Sequence, residues 1–147
     1  MKKLLSYILL IPAILLLAGC SNLSEKNTKK KITIENSKFI VEIADSLEEH
    51  RQGLAGRSSL DQDKGMLFIF DQKDYPQFWM KDTLIPLQIL MIDDCEIVQL
   101  IEMAVEEDPA NAQMIYKSSK LADKAIELNS RAFDEQIVGK KIKELCD

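Results

Sequence analysis

Short apolar stretches separated by turn residues recur along this chain, and such a pattern is typical of a β-rich fold. Apolar and polar side chains alternate over residues 38–43 with the two-residue period of a strand. A continuous apolar run over residues 66–70 lies between turn residues and suits a strand buried on both faces. Further stretches predict strands over residues 87–92, 96–103, 114–117 and 124–128.

Two short helices are predicted between these strands. Ser46 and Glu49 form a capping-box pattern that opens a helix ending near Gln52. Ser130 is predicted to cap a second helix that runs to Ile137. Because 147 residues are enough for one domain and too few for two full ones, the fold class predicted is mainly β: a single small sandwich- or barrel-like domain with two short helices.

The first 19 residues have the pattern of a secretory signal peptide. Lys2 and Lys3 provide a basic start, an apolar run follows to Leu17, and small residues end it. The run is shorter than the roughly 20 apolar residues of a membrane-spanning helix, although an uncleaved signal anchor stays open as an alternative. Removal of residues 1–19 would change the net charge from −5 to −7, since two lysines are lost.

Residues 17–20, Leu-Ala-Gly-Cys, resemble the bacterial lipoprotein signal, the lipobox. The resemblance implies acylation of Cys20, cleavage before it, and a partner in membrane lipid on the extracytoplasmic side of the bacterial cell envelope. Residues 20–31 are then expected to be a polar, lipid-anchored tether, with residues 32–147 forming the β-rich domain. The alternative is that Cys20 is an ordinary thiol in a signal peptide cut elsewhere.

Cys95 and Cys146 would lie in an oxidising space in an exported protein and could form a disulfide. The alternative is two unpaired cysteines, one in a turn and one near the chain end. Their positions favour the unpaired alternative. Cys95 is also an awkward residue where a tight hairpin needs a positive φ, so we expect a turn wider than two residues after residues 93–94.

The densest unusual segment is residues 78–87, where aromatic and apolar side chains surround Lys81, Asp82 and Thr83. Trp79 offers a stacking surface and Lys81 an anion contact, which predicts the edge of a ligand pocket. Arg51 and Arg57 flank a glycine-containing loop and are candidates for binding a carboxylate or phosphate. The alternative for residues 78–87 is a tight connection whose polar groups bond to the backbone. For the two arginines the alternative is that they tie the helix end to neighbouring Asp or Glu side chains.

Three blocks of sequence, residues 51–57, 65–70 and 78–87, together resemble domain-of-unknown-function family 192. The resemblance covers about residues 40–142 and implies a small, mainly β, often exported domain, with no established activity or substrate. The chain departs from the family pattern at several positions. Asp82 replaces a common Asn, Gln88 a common Asp, and Cys95 a common turn Gly. The change at Gln88 would remove a carboxylate able to pair with Lys81 or an arginine.

Several classes of function are disfavoured by the composition. A net charge of −5 argues against a nucleic-acid partner, which needs a basic surface. With a single His and three Cys, no metal site or cofactor is predicted. His50 is interpreted as a solvated helix residue.

The leading hypothesis is a non-catalytic module that binds a small anionic ligand or an envelope protein. The first alternative is a structural envelope protein. The last is a hydrolase that uses Asp82 as base, with Arg57 or Lys81 stabilising negative charge.

Overall fold

A computed structural model describes residues 29–146 of the chain. These residues form eight β-strands, one α-helix and three single-turn 3-10 helices, so the mainly β fold class is confirmed. The strands and the helix are β1 (Lys29–Ile34), β2 (Ser37–Ala44), α1 (Leu47–Gln52), β3 (Lys64–Asp74), β4 (Gln77–Trp79), β5 (Leu87–Asp93), β6 (Glu96–Met103), β7 (Ile115–Lys117) and β8 (Ala122–Asn129). The 3-10 helices are Pro109–Asn111, Glu135–Ile137 and Lys143–Leu145. No helix within residues 29–146 has the length and apolar character needed to cross a membrane.

Six strands form one sheet in the order β1-β2-β3-β8-β5-β6, and β4 pairs with β7 in a separate two-stranded sheet. Strands β2 and β3 are parallel, whereas the other neighbours in the large sheet are antiparallel. Parallel neighbours require a crossover connection, and residues 45–63, which include α1, provide it. The connection brings α1 and the loop after it near the start of β3.

Both faces of the large sheet are covered. The first face packs against the C-terminal segment, residues 138–146. Its cluster includes Ile32, Val41, Leu67 and Ile126 of the sheet together with Ile142 of that segment. The second face carries a separate cluster: Ala44, Leu54, Met66, Phe68, Met80, Leu87, Ile89, Met91, Met103, Ala122 and Ala125. Phe78 of β4 and Tyr116 of β7 pack against this second cluster, so the small sheet partly covers it. Four methionines, Met66, Met80, Met91 and Met103, therefore belong to the core of this face.

The first predicted helix is present, with the predicted cap. The Ser46 hydroxyl accepts a hydrogen bond from the Glu49 backbone N–H, and the Glu49 carboxylate accepts one from the Ser46 N–H at 2.9 Å. The second predicted helix is wrong, because only the turn Glu135–Ile137 is helical and Asp134 caps it. Arg131 has φ 61°, which is incompatible with an α-helix starting at Ser130.

The start of the domain and one turn also differ from expectation. Strand β1 begins at Lys29, so the last three residues of the predicted tether pair with β2; Lys29 lies opposite Glu42. The β5–β6 hairpin has a two-residue turn, Asp94 and Cys95, because Asp94 rather than Cys95 adopts the positive φ, at 60°. The signal peptide, Cys20 and most of the predicted tether lie outside the described residues.

Cys95 and Cys146 form a disulfide, with their Cα atoms 4.8 Å apart. The unpaired alternative that the sequence favours is therefore not observed. Two backbone bonds hold the chain end beside the β5–β6 turn: the Ile142 N–H donates to the Cys95 carbonyl and the Gly139 N–H donates to the Ile97 carbonyl. The C-terminal segment thus lies against the hairpin instead of fraying, which brings the two sulfurs together.

Candidate functional site

The turn after β4 places Trp79 and Lys81 at the surface over the second face of the sheet. Met80 is fully buried between them and anchors the turn in the core. Asp82 follows with φ 55°; its carbonyl accepts a hydrogen bond from the Gly56 N–H and its own N–H donates to the Pro109 carbonyl, each at 2.8 Å. These two bonds fix the turn to the loop after α1 and to a third loop, so Trp79 and Lys81 have a rigid support.

Helix α1 places His50 and Arg51 opposite Trp79. His50 Nε2 lies 3.0 Å from the Ala44 carbonyl oxygen, which orients the ring. The ring packs against Phe68 and Phe70, with centroids 5.8 and 5.4 Å away. The interpretation of His50 as a solvated residue is therefore wrong: the helix is short, but its last turn lies directly over two aromatic side chains of β3.

An open cleft of about 730 Å³ lies between α1, β3 and β4. Its floor is aromatic: Phe78 meets Phe68 edge to face, with centroids 5.2 Å apart, and Phe70 at 6.4 Å. The cleft is lined by His50, Arg51, Phe68, Phe70, Asp71, Gln72, Asp74, Pro76, Gln77, Phe78, Trp79 and Ile115. An apolar floor with a few polar groups at the rim is typical of small-ligand sites.

Trp79 forms a wall of this cleft and is 45% exposed, although it is a large aromatic residue. The Lys81 Nζ atom lies 5.6 Å from the centroid of its ring, within the range of a cation–π contact. On the other side of Trp79 is a second recess of about 310 Å³, lined by Arg51, Gln52, Ala55, Gly56, Trp79, Lys81 and Asp82. Arg51, Trp79 and Lys81 thus share one concave surface.

Between the cleft and the recess is a narrow inner pocket of about 20 Å³. It shares Arg51 and Trp79 with both, and Thr83 and Lys81 form part of its wall. Thr83 is buried and its hydroxyl donates to the Lys81 carbonyl at 3.3 Å, the backbone role that the alternative interpretation assigns to such residues. Thr83 therefore supports the turn and also borders the pocket.

Glu127, from β8, lies at the base of the inner pocket. Its side chain is only 5% exposed, and its Oε2 atom has no hydrogen-bond partner within residues 29–146. Burial raises the pKa of this carboxyl to about 8, against a smaller opposing effect of Arg57. No local sequence pattern marks Glu127 as a site residue, because a Glu between Ile126 and Leu128 looks like a solvent-facing strand residue.

Arg57 does not line the cleft, the recess or the inner pocket. Its two terminal nitrogens each donate to one Glu42 carboxylate oxygen at 2.7 Å, a bidentate pair with β2. This hydrogen bonding, together with the charge of Arg57, holds the pKa of Glu42 below its usual value. The prediction that Arg57 joins Trp79 and Lys81 in one site is therefore wrong, because Glu42 occupies its guanidinium group.

Gln88 also acts away from the site. Its side-chain amide is fully buried, donates to Glu102 and to the Phe133 carbonyl, and accepts from the Phe133 N–H. Gln88 lines none of the three pockets and instead holds the loop after β8 through Phe133. Within residues 29–146, no group of three or more His, Cys, Asp or Glu side chains could hold a metal ion.

The fold and the site define a small mainly β domain with an aromatic, cation-rimmed cleft beside a crossover helix. The chain belongs to family DUF192, described as "Uncharacterized ACR", which matches residues 29–143; the sequence resemblance is thus confirmed. No curated protein matches the chain.

Two solved structures share the fold. One is a candidate transcription regulator from Sinorhizobium meliloti 1021, with a TM-score of 0.64 and 28% identity, covering 76% of this chain and 87% of that one. The other is a protein of unknown function from Novosphingobium aromaticivorans DSM 12444, with a TM-score of 0.64 and 23% identity, covering 78% of this chain and 82% of the other. The second likeness concerns the fold alone.

Proposed function

We propose that this chain is a lipid-anchored, extracytoplasmic domain that binds a small ligand without catalysis. The lipobox resemblance at Cys20 supports the anchor, and the cleft at Trp79 supports the binding function. Eight residues, 21–28, lie between Cys20 and the start of β1 at Lys29, so a tether would place the domain at most about 30 Å from its anchor. The acyl chains, rather than the acidic domain, would provide the attachment to membrane lipid.

The observation that carries the binding proposal is the half-exposed Trp79 between an aromatic floor and the cations Arg51 and Lys81. Exposed aromatic side chains beside cations suit a ligand that has a ring or other apolar body and an anionic group. The body would lie against Trp79 and Phe78, and the anionic group would approach the two cations. Asp71 and Asp74 also line the cleft and would disfavour a second anionic group beside them.

Trp79 is the single tryptophan of the sequence, so its fluorescence reports directly on the cleft. A screen would use carboxylates, phosphates and glycans with apolar or ring-shaped bodies, and calorimetry would measure the affinities. We expect at least one class to bind, with Trp79→Ala weakening it tenfold or more. Leu121→Ala is the matched control, since Leu121 is 45% exposed but lines none of these pockets. Equal affinity in Trp79→Ala, or no binding by any class, would contradict the proposal.

Lipidation has its own test. Cells expressing the full chain would be grown with a clickable palmitate analogue, and the labelled protein would be followed in membrane fractions. We expect label on the natural chain and none on Cys20→Ser, while Cys146→Ser keeps the label because Cys146 is a disulfide partner and not the acylation site. A natural chain that carries no label, or a labelled Cys20→Ser variant, would refute the anchor.

A structural role in the envelope is the second candidate, because the turn at Asp82 joins three loops through backbone bonds. Lys81→Ala separates the two candidates, since the Lys81 side chain is exposed and the backbone bonds do not depend on it. Loss of ligand binding with unchanged stability supports a binding site, whereas lower stability without a binding defect supports a structural role.

Nucleic-acid binding is not proposed, given the net charge of −5. The hydrolase hypothesis has less support than ligand binding. The Arg57 guanidinium group, one of the two cations that it needs to stabilise negative charge, is already bonded to the Glu42 carboxylate.

A further inference from the structure

Glu127 is a carboxyl group placed where the sheet is otherwise apolar. In the register of the sheet it lies opposite Met66 of β3 and Ile89 of β5, both members of the second-face core cluster. The residue is only 5% exposed, and glutamates reach such burial rarely unless they are paired. An ionised carboxylate at this position would lose its hydration without a compensating partner.

Several charged or titratable groups surround Glu127, yet none bonds to its Oε2 within the described residues. His50 and Arg51 come from α1 and Lys81 from the turn after β4, all lining the same inner pocket. Arg57 attracts the carboxyl electrostatically, but its guanidinium group is bonded to both oxygens of Glu42. The neighbours from β3 and β5 carry no charge, so Glu127 has no dedicated counter-ion.

The space in front of Glu127 is small and borders Gly53. A Cβ atom on Gly53 would lie 3.8 Å from Glu127 Oε2 and 3.7 Å from Phe68 Cζ, and the φ of 47° at Gly53 disfavours any side chain. The inner pocket of about 20 Å³ is close to the smallest volume that holds one water-sized group. It therefore fits a single polar atom of a ligand whose body lies in the larger cleft.

Resting on the proposed function, we infer that the ligand is a monocarboxylate with an apolar or aromatic body, and that protonated Glu127 donates a hydrogen bond to one carboxylate oxygen. Arg51 and Lys81 balance the charge of that carboxylate from the pocket wall, and the body packs on Trp79. A bond from a neutral O–H to a carboxylate oxygen is charge-assisted and stronger than a neutral pair. Burial keeps the proton on Glu127 at neutral pH because it raises the pKa to about 8.

A carboxylate fits this site better than a phosphate. One oxygen of a planar carboxylate can enter a pocket of about 20 Å³, whereas a phosphate group brings three oxygens and up to two charges to the same opening. Ionised Glu127 would repel either anion, so binding requires that the protein retain one proton. The affinity for a carboxylate must therefore fall as the pH rises above the pKa of Glu127.

The test uses three probes of similar size: 4-phenylbutyrate, its neutral amide, and phenyl phosphate. Trp79 fluorescence and calorimetry would give the Kd of each from pH 6 to pH 9.5 with the oxidised domain. For 4-phenylbutyrate we expect the Kd to rise about 30-fold over this range, as loss of one proton near pH 8 requires. The neutral amide should bind at least tenfold more weakly at pH 6 and show no such dependence, and phenyl phosphate should bind more weakly than 4-phenylbutyrate.

Glu127→Gln is the informative variant, because its amide keeps an N–H donor that cannot ionise. We expect it to bind 4-phenylbutyrate with a Kd that changes less than threefold from pH 6 to pH 9.5. Glu107→Gln, at an exposed carboxyl away from the cleft, should keep the natural pH profile. If Glu127→Gln does not fold, the comparison of the three probes on the natural domain still decides.

The outcomes separate this inference from the proposed function. A Kd for 4-phenylbutyrate that does not change with pH, or an amide or phosphate that binds as tightly, overturns the carboxylate assignment while leaving ligand binding in the cleft intact. Failure of all three probes also overturns it, and the wider screen with Trp79→Ala then decides whether the cleft binds ligands at all. The predicted pH profile, its loss in Glu127→Gln and preference for the carboxylate together support the assignment.

Discussion

Glu127 has an energetic consequence for the protein even without a ligand. A carboxyl whose pKa is about 8 in the folded domain and 4.5 in the unfolded chain binds its proton more tightly when folded. Folding is therefore favoured most at pH values where both states are protonated, and it is favoured less once the unfolded state alone has lost the proton. Buried polar groups without partners are uncommon in native structures and concentrate at functional sites.

We expect the free energy of unfolding to fall by about 1.4 kcal/mol for each pH unit between about 4.5 and about 8 because of Glu127, and to level off above that. Glu127→Gln should remove this slope and unfold at higher urea concentration than the natural domain at pH 8. The measurement is urea unfolding from pH 5 to pH 9 with the disulfide intact. Glu107→Gln serves as control and should keep the natural slope; an identical slope in Glu127→Gln would disprove the effect.

The candidate site could be predicted in part from single residues. Trp79, Lys81 and Thr83 stand out because aromatic and charged residues are interleaved in a short segment, and Arg51 because glycines follow it. Arg57 has the same local signal, but its partner Glu42 lies on β2, and no local pattern shows that pairing. Glu127, in contrast, has no local signal at all, because it becomes buried only when β8 lies at the centre of a sheet covered on both faces.

At the scale of elements, strands with a clear two-residue period or a continuous apolar run were predictable, as was the capped helix α1. β2, β3, β5, β6 and β8 carry this signal within their own residues. The bounds of β2, β5, β6 and β8 follow it closely, whereas β3 continues past the predicted run at residue 70 to Asp74. β4 has three residues and gains its partner only from β7, far along the chain, so local periodicity does not reveal it. The predicted second helix is replaced by a loop over residues 130–133, where the Gln88 side chain bonds to the Phe133 backbone.

The bidentate pair between Glu42 and Arg57 joins β2 to the loop after α1, so it stabilises the crossover connection. Because the pKa of Glu42 is lowered in the folded domain, its contribution is present above pH 4.5 and is lost as the pH falls through that lowered pKa. We expect Glu42→Gln to lower the free energy of unfolding by about 1 kcal/mol at pH 7, a modest value because both side chains are about one-third exposed. The difference from the natural domain should disappear in acid.

Urea unfolding at pH 7 and pH 3 measures this effect. Asp63→Asn is the matched control, since its carboxylate contacts the neighbouring Lys64 at 3.3 Å on a more exposed surface and is expected to contribute little. An equal loss of stability in Glu42→Gln at both pH values would show that the substitution acts through packing and not through the ion pair.

At the scale of the whole molecule, the C-terminal segment connects the two edges of the large sheet. The Ile97 N–H donates to the Lys140 carbonyl at one edge, β6, and the 3-10 helix Lys143–Leu145 contacts β1 at the other. Ile142 and Leu145 are buried in the first-face cluster between these contacts. The segment therefore covers one face of the sheet and shields both edge strands, although it contains only a single 3-10 turn.

The Cys95–Cys146 disulfide fixes this segment and closes a loop of 51 residues, so reduction is expected to destabilise the whole domain. In the chain-entropy model a loop of this length stabilises the folded state by about 4 kcal/mol. Urea unfolding with and without dithiothreitol should show that difference for the natural domain, and no effect of reductant on the double variant Cys95→Ser, Cys146→Ser. The double variant should unfold at the same urea concentration as the reduced natural domain. A natural domain that is indifferent to reductant would mean that Ile142 and Leu145 hold the segment in place through packing alone.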